Sequence, residues 1–271
     1  MPHVHLPERV GGAVRSIRAA MLAPPRWWRE LIVIGAVFGI YRWVETVVRV
    51  DPGPAYRRGR DLLEAQQALH VDVEHPLNAF LVAHPPLAMA ANYYYVICHG
   101  AVTCLMLVGL FWRRPRLYPA ARLSLAVTTV GAFAVFALAP TAPPRLLHGA
   151  GFVDTLSHFH TIGGYQSGMM ASTADQFAAM PSLHIAWGVW ASVWFARVVR
   201  RPWARIAAVA YPVLTSLVIL ATANHYVLDI AGGLAIAVIG EAVAAGVAHR
   251  PGRRHTGTVT GPPAEERTKA A

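Results

Sequence analysis

Charged residues are scarce in this chain. Asp, Glu, Lys and Arg supply 14% of its 271 residues while hydrophobic ones supply 55%, and the mean hydropathy is +0.40. A soluble globular domain rarely reaches that balance, so an integral membrane protein is expected. Cysteine is nearly missing too. Cys98 and Cys104 lie six apart in one apolar run and so on different helical faces, which argues against a mutual disulfide or a zinc site and leaves both as packing residues. No internal repeat is present. No small-residue cleavage site accompanies the first apolar run, which is expected to remain as a span rather than leave as a signal peptide. Lysine occurs once, at position 269, and heavy Arg and Ala usage beside it suits a GC-rich bacterial genome.

What is present is a series of apolar runs. Six candidates stand at about 28–48, 88–112, 119–140, 183–199, 205–223 and 226–247, against the roughly 20 residues a helix needs to cross a bilayer. The expected fold class is all-α, a polytopic six-helix membrane bundle over residues 28–248. A basic cytoplasmic segment, 1–27, precedes it, and a tail, 249–271, rich in Pro, Gly, Thr and charge, is expected to be disordered. Arginines cluster before the first run, after the second (Arg113, Arg114, Arg116, Arg122), after the fourth (Arg197, Arg200, Arg201, Arg205) and in the tail. The positive-inside rule puts those clusters in the cytoplasm, so 49–87, 141–182 and the short link near 224 face outward. Arg49, Arg57, Arg58 and Arg60 fall on that outer side but are interleaved with acids, and 57–70 reads as a surface helix on the bilayer.

The formal charge of +10 and pI near 10.3 invite a nucleic-acid reading. Topology and anionic headgroups account for most of the basic residues, and no aromatic-basic recognition motif accompanies them. No nucleic-acid partner is expected, and no protein partner is evident.

Two histidines stand out at the ends of apolar stretches: His184, in Met180-Pro181-Ser182-Leu183-His184, and His225, in His225-Tyr226-Val227-Leu228-Asp229. The interval between them holds two apolar runs, 185–199 and 206–223, joined by a basic turn. One span out and one back bring both histidines to the same membrane face. Arg145, after the run 123–139, can reach that face as well.

His225 and Asp229 are four apart and share one helical face. An aspartate that accepts from one imidazole nitrogen fixes the tautomer and leaves the other nitrogen nucleophilic. His184 is the candidate general acid, protonated while His225 is neutral. Ser182 and backbone N–H groups at the following helix start suit phosphate oxygens, and Arg145 supplies fixed positive charge. The set reads as phosphoryl transfer through a phosphohistidine, with no metal and no other cofactor. Each piece has a blander reading: His-x-x-x-Asp is often a structural pair or metal ligand, Pro-Ser a helix cap, Pro-Pro-Arg a loop. The shared sidedness is what joins them.

These two histidine motifs, with Pro140-Thr141-Ala142-Pro143-Pro144-Arg145 upstream, resemble the type-2 phosphatidic acid phosphatase superfamily over about residues 30–248. More narrowly they resemble its branch containing inositol phosphorylceramide synthase. The resemblance implies a six-helix membrane phosphatase or phosphotransferase without metal. It makes His225 the nucleophile, Asp229 its orienter and His184 the general acid, with Ser182 in the phosphate pocket. The broader superfamily carries a Lys and an Arg in its first motif and an Arg six residues before the nucleophile, where this chain has Ile219. The Pro-Ser-Leu-His branch commonly lacks that last arginine, and Arg145 is the substitute cation expected here.

Other polar residues carry bland expectations. Arg42 and Glu45 suit an intramembrane ion pair. Asn92, Tyr95, His99 and Thr103 form a stripe at helical spacings that is expected to pack against neighbouring helices. His158 and His160 lack further ligands at metal spacing, residues 163–168 suggest a glycine-rich lid, and Tyr93–Tyr95 suit an interfacial aromatic belt. The function expected is attack on a lipid or polyprenyl phosphate at the outer leaflet, by hydrolysis or by transfer of a head group to an alcohol. The different-class alternative is a non-catalytic transporter or scaffold that keeps the fold.

Overall fold

The computed structural model describes Ser16, Ala19 and residues 21–47, 51–161 and 176–249. The expected disordered tail, the glycine-rich lid at 163–168, most of the N-terminal segment and the side chains of Arg42 and Glu45 lie outside the described residues. The described chain is helical. In order run α1 (Trp27–Val47), α2 (Pro52–Ala68), α3 (Glu74–Val82), α4 (Pro85–Arg113) and α5 (Tyr118–Leu138). A 3-10 turn (Pro144–Leu146) and the short α6 (Thr155–His158) lead to α7 (Leu183–Val198), α8 (Pro202–Ala221) and α9 (Val227–His249). Among the described residues the only β pairing is an isolated bridge between Thr141 and Ala178.

Each of the six intervals expected to be apolar holds a helix, but four of these are long and apolar enough to cross a membrane: α4, α5, α8 and α9. The shortfall has simple causes. α7 is 16 residues long, and α1 carries Arg29 and Glu30 at one end and Arg42 and Glu45 at the other. The long helices present large apolar side chains outward, Leu105, Trp112, Leu138, Ile206 and Val209 among them, as hydrocarbon surroundings require.

Small residues bring the helices together. A Cβ at Gly240 of α9 would stand 2.6 Å from the Ser124 carbonyl oxygen of α5, so the two helices meet nearly backbone to backbone. Trp190 Nε1 of α7 donates to the Ala121 carbonyl and to Ser124 Oγ, each at 3.0 Å. Buried indole N–H groups need such partners. At the opposite end from the two motif histidines, Arg122 and Tyr118 hold Glu30 of α1 at 2.6 and 2.8 Å.

Two outer helices, the first of them over the 57–70 segment expected to lie on the surface, each bury one face against the protein. α2 starts on an Asp51 cap with proline in its first turn, yet Ala55, Gly59 and Gln66 are buried against the protein. α3 likewise buries Glu74, Asn78 and Leu81. One packing expectation fails: Cys104 is exposed on α4, because its helix is peripheral and turns that face outward.

Candidate active site

Three loops meet at one end of the bundle. Thr141 N donates to the Phe177 carbonyl at 2.7 Å, and Arg145 N donates to the Ala223 carbonyl at 2.9 Å. Ser182 N donates to the Asp229 carbonyl at 3.1 Å. Tyr226 Oη donates to the Ala142 carbonyl at 2.8 Å. These bonds stitch 140–147, 177–182 and 222–229 together, so the three motifs singled out in the sequence become neighbours. Burial and the adjacent carboxylates of Asp229 and Glu74 push the Tyr226 phenol above its ordinary range, which keeps it an O–H donor.

His225 is held from one side only. Its Nδ1 lies 2.9 Å from the Ala179 carbonyl oxygen and 3.3 Å from Asp229 Oδ2. Both partners accept, so Nδ1 carries the proton and Nε2 keeps its lone pair. Asp229 is fully buried, and its Oδ2 also accepts from Tyr226 N at 2.9 Å. The His184 ring lies 5.5 Å from that of His225, centroid to centroid, at 66°. The two imidazoles are therefore close enough to flank one tetrahedral group.

Ser182 caps α7. Its side chain accepts from Ile185 N at 3.4 Å, and the residue is fully buried. Its hydroxyl proton and the first amides of α7 remain the site's neutral donors. Close packing sets this helix start: a Cβ at Gly233 of α9 would fall 2.5 Å from the Ser182 carbonyl oxygen and 3.0 Å from Ile185 Cβ. Arg145 reaches the loop before His225. Its Nε donates to Asn224 Oδ1 at 2.8 Å and its Nη1 to Asp154 Oδ2 at 3.3 Å, with the side chain 2% exposed. The guanidinium is thus anchored beside the loop that bears His225.

Several site neighbours were not given a role by the sequence. Tyr95 stacks on His184 at 4.3 Å and 17°, and the His99 ring lies 4.0 Å from that of His184. Of the polar stripe on α4, Asn92 does pack as expected, exchanging bonds with Thr155 at 2.9 and 2.7 Å. The spacing identified the stripe; only the bundle shows which member meets His184. Glu74 and Gln66 had no sequence signal. Their side-chain oxygens accept the first amides of α9, Val227 N at 2.6 Å and Leu228 N at 2.9 Å, while Gln66 Nε2 donates to Glu74 Oε1 at 2.9 Å. No three His, Cys, Asp or Glu side chains group as metal ligands among the described residues.

Apolar helices able to cross a membrane, with a His-His-Asp cluster where the loops converge, together with the family match point to a membrane protein of phosphatase type. The model of the PAP2 superfamily matches residues 60–243, more than half of the chain, and the chain belongs to that superfamily. Neither curated proteins nor solved structures give a match.

Proposed function

We propose that the protein is a membrane phosphatase or phosphotransferase that acts on a lipid or polyprenyl phosphate ester through a phosphohistidine on His225. The observation that carries this reading is the 5.5 Å separation of the His184 and His225 rings, with Asp229 behind the second. In the first half-reaction His225 Nε2 attacks phosphorus, an N–P bond forms and the P–O bond to the lipid alcohol breaks. His184 gives its proton to the departing oxygen. In the second, a water or an alcohol attacks phosphorus, the N–P bond breaks, and the proton of the attacking oxygen passes to His184. Charge and protons balance over the cycle.

The phosphoryl oxygens are taken by Arg145, Ser182 and the first amides of α7, a helix start that favours anions. No cofactor takes part. We take the six apolar runs as six spans, two of them through helices short or charged for the task, and the arginine clusters with the positive-inside rule turn the site outward. An open apolar groove of about 520 Å³ lined by Val135, Ala139, Ile236 and Ile239 reaches Thr141, Met180 and Pro181 of the motif loops, though not His184 or His225 themselves, and suits a lipid chain beside the site. The Pro-Ser-Leu-His motif, which resembles the branch containing inositol phosphorylceramide synthase, favours transfer over hydrolysis.

Phosphoenzyme trapping tests the nucleophile. Labelled lipid phosphate is expected to mark wild-type protein after acid-sparing quench and to leave His225→Ala unmarked and inactive. Undiminished turnover by that variant refutes the assignment. Phosphate release measured with and without inositol or glycosyl acceptors separates the two outcomes, since release indifferent to acceptor rejects a transferase.

A further inference from the structure

The geometry points to His99 as a positioning residue that keeps the proton-donating nitrogen of His184 aimed at the leaving group, through its ring packed on the His184 ring beside the carbonyl oxygen of Tyr95 that both share. The inference rests on the phosphoryl-transfer reading and goes beyond it, because the two-histidine scheme does not say what orients the acid.

His184 Nε2 lies 3.2 Å from the Tyr95 carbonyl oxygen. His99 Nδ1 lies 3.1 Å from the same oxygen. A carbonyl only accepts, so it selects an N–H on each ring: His184 carries its fixed proton on Nε2, and His99 carries one on Nδ1. The nitrogen of His184 left to exchange a proton is therefore Nδ1. In the charged form Nδ1–H is available to the departing oxygen, and after transfer the ring rests in the tautomer that the carbonyl already prefers.

Ring packing holds this orientation. His184 sits between the Tyr95 ring, stacked at 4.3 Å, and the His99 ring at 4.0 Å and 52°. His99 in turn packs against Trp187 at 5.7 Å. Thr103 Oγ1 donates to the His99 carbonyl at 2.7 Å, which steadies this turn of α4. Removing the His99 ring opens space beside His184 and takes away one of the side-chain donors on the Tyr95 carbonyl, whose oxygen stays in its helical bond. A swing of His184 Nε2 away from Tyr95 then costs less, and the proton on Nδ1 loses its aim.

Leaving-group dependence provides the test. An alkyl phosphate needs a proton on its departing oxygen, whereas a nitrophenyl phosphate departs as a stable anion. Full-length protein in detergent is assayed on a long-chain alkyl phosphate and on nitrophenyl phosphate, with His184→Ala as the reference for lost acid catalysis. His99→Leu is expected to lose about tenfold or more in kcat on the alkyl ester and less than about threefold on the nitrophenyl ester, a part of the range that acid catalysis supplies. His99→Asn, whose amide nitrogen occupies the place of Nδ1 and still donates but which lacks the ring, is expected to lose less than the leucine variant on the alkyl ester and to stay within about threefold of wild type on the nitrophenyl ester. His99→Met fills the volume without a donor and replaces the leucine variant if that one does not fold. Equal losses on the two esters, or none on either, overturn the inference while phosphoenzyme at His225 persists. A wild-type protein that turns over neither ester and takes no label overturns the phosphoryl-transfer reading and this inference with it.

Discussion

Glu74 Oε1 accepts the Val227 backbone N–H at 2.6 Å, so a carboxylate on an outer helix caps the helix that follows the proposed nucleophile. A helix start carries unsatisfied N–H groups and partial positive charge. Here the caps come from other elements of the fold: Glu74 from α3 and Gln66 from α2, bonded to each other at 2.9 Å.

Glu74→Ala removes that acceptor and leaves Val227 N–H and the Gln66 amide buried without it. The expected cost is about 2–3 kcal/mol of stability, as for a buried hydrogen bond to a charged group. Glu74→Gln keeps an acceptor oxygen and is expected to lose less than half as much. Thermal unfolding in detergent reads both; an unchanged midpoint for the alanine variant rejects the cap.

Asp229→Asn probes the charge behind the imidazole. Oδ2 faces both Tyr226 N and His225 Nδ1, so an asparagine oxygen in that place keeps both contacts and its amide nitrogen takes the Oδ1 position. The negative charge that steadies the imidazole as the N–P bond forms is lost. Phosphoenzyme formation is expected to fall by about 100-fold or more, in line with losing the carboxylate behind a catalytic imidazole, with little change in stability. A variant within about threefold of wild type in the rate of label uptake contradicts that role.

Gly233→Ala tests the contact between α9 and α7. Its Cβ would meet the Ser182 carbonyl oxygen at 2.5 Å and Ile185 at 3.0 Å, and backbone has nowhere to yield. Overpacking of this kind costs about 1–3 kcal/mol. Because the contact lies between the two histidine-bearing segments, turnover is expected to fall further than stability alone predicts. Thermal unfolding together with kcat measured well below the unfolding midpoint checks this; full activity in a folded variant contradicts it.

The sequence made His184, His225 and Asp229 legible because polar side chains at the ends of apolar runs are costly and their spacing fixes their side of the membrane. The four helices able to cross a membrane were legible for the same reason, their composition. The 16-residue α7 was harder, since it is largely sheltered by neighbours and needs no full-length hydrophobic run. Ser182 was foreseen both as a cap and as a phosphate ligand; the structure displays the cap. Arg145 was placed at the correct end, but Asn224 and Asp154, which hold its guanidinium, are set by loop closure that no local pattern encodes. Glu74 read as one more acid among outer-side arginines. Its burial arises where α3, docked on α8, meets Gln66 of α2 and the start of α9, a relationship between elements far apart in the chain. His99 lay in a recognisable stripe, and only the rotation of α4 selects it to face His184.

Gly59 carries a wider lesson about which parts of the molecule govern its chemistry. Any side chain beyond hydrogen at this position of α2 would run into the Ala142 carbonyl at 2.5 Å and the Tyr226 hydroxyl at 2.9 Å. The polar cover of the bundle thus acts as a template: its backbone sets how near the proline-rich loop may approach the loop that bears His225. Natural variation at that glycine would push the two loops apart, even though the residue takes no part in the proposed chemistry.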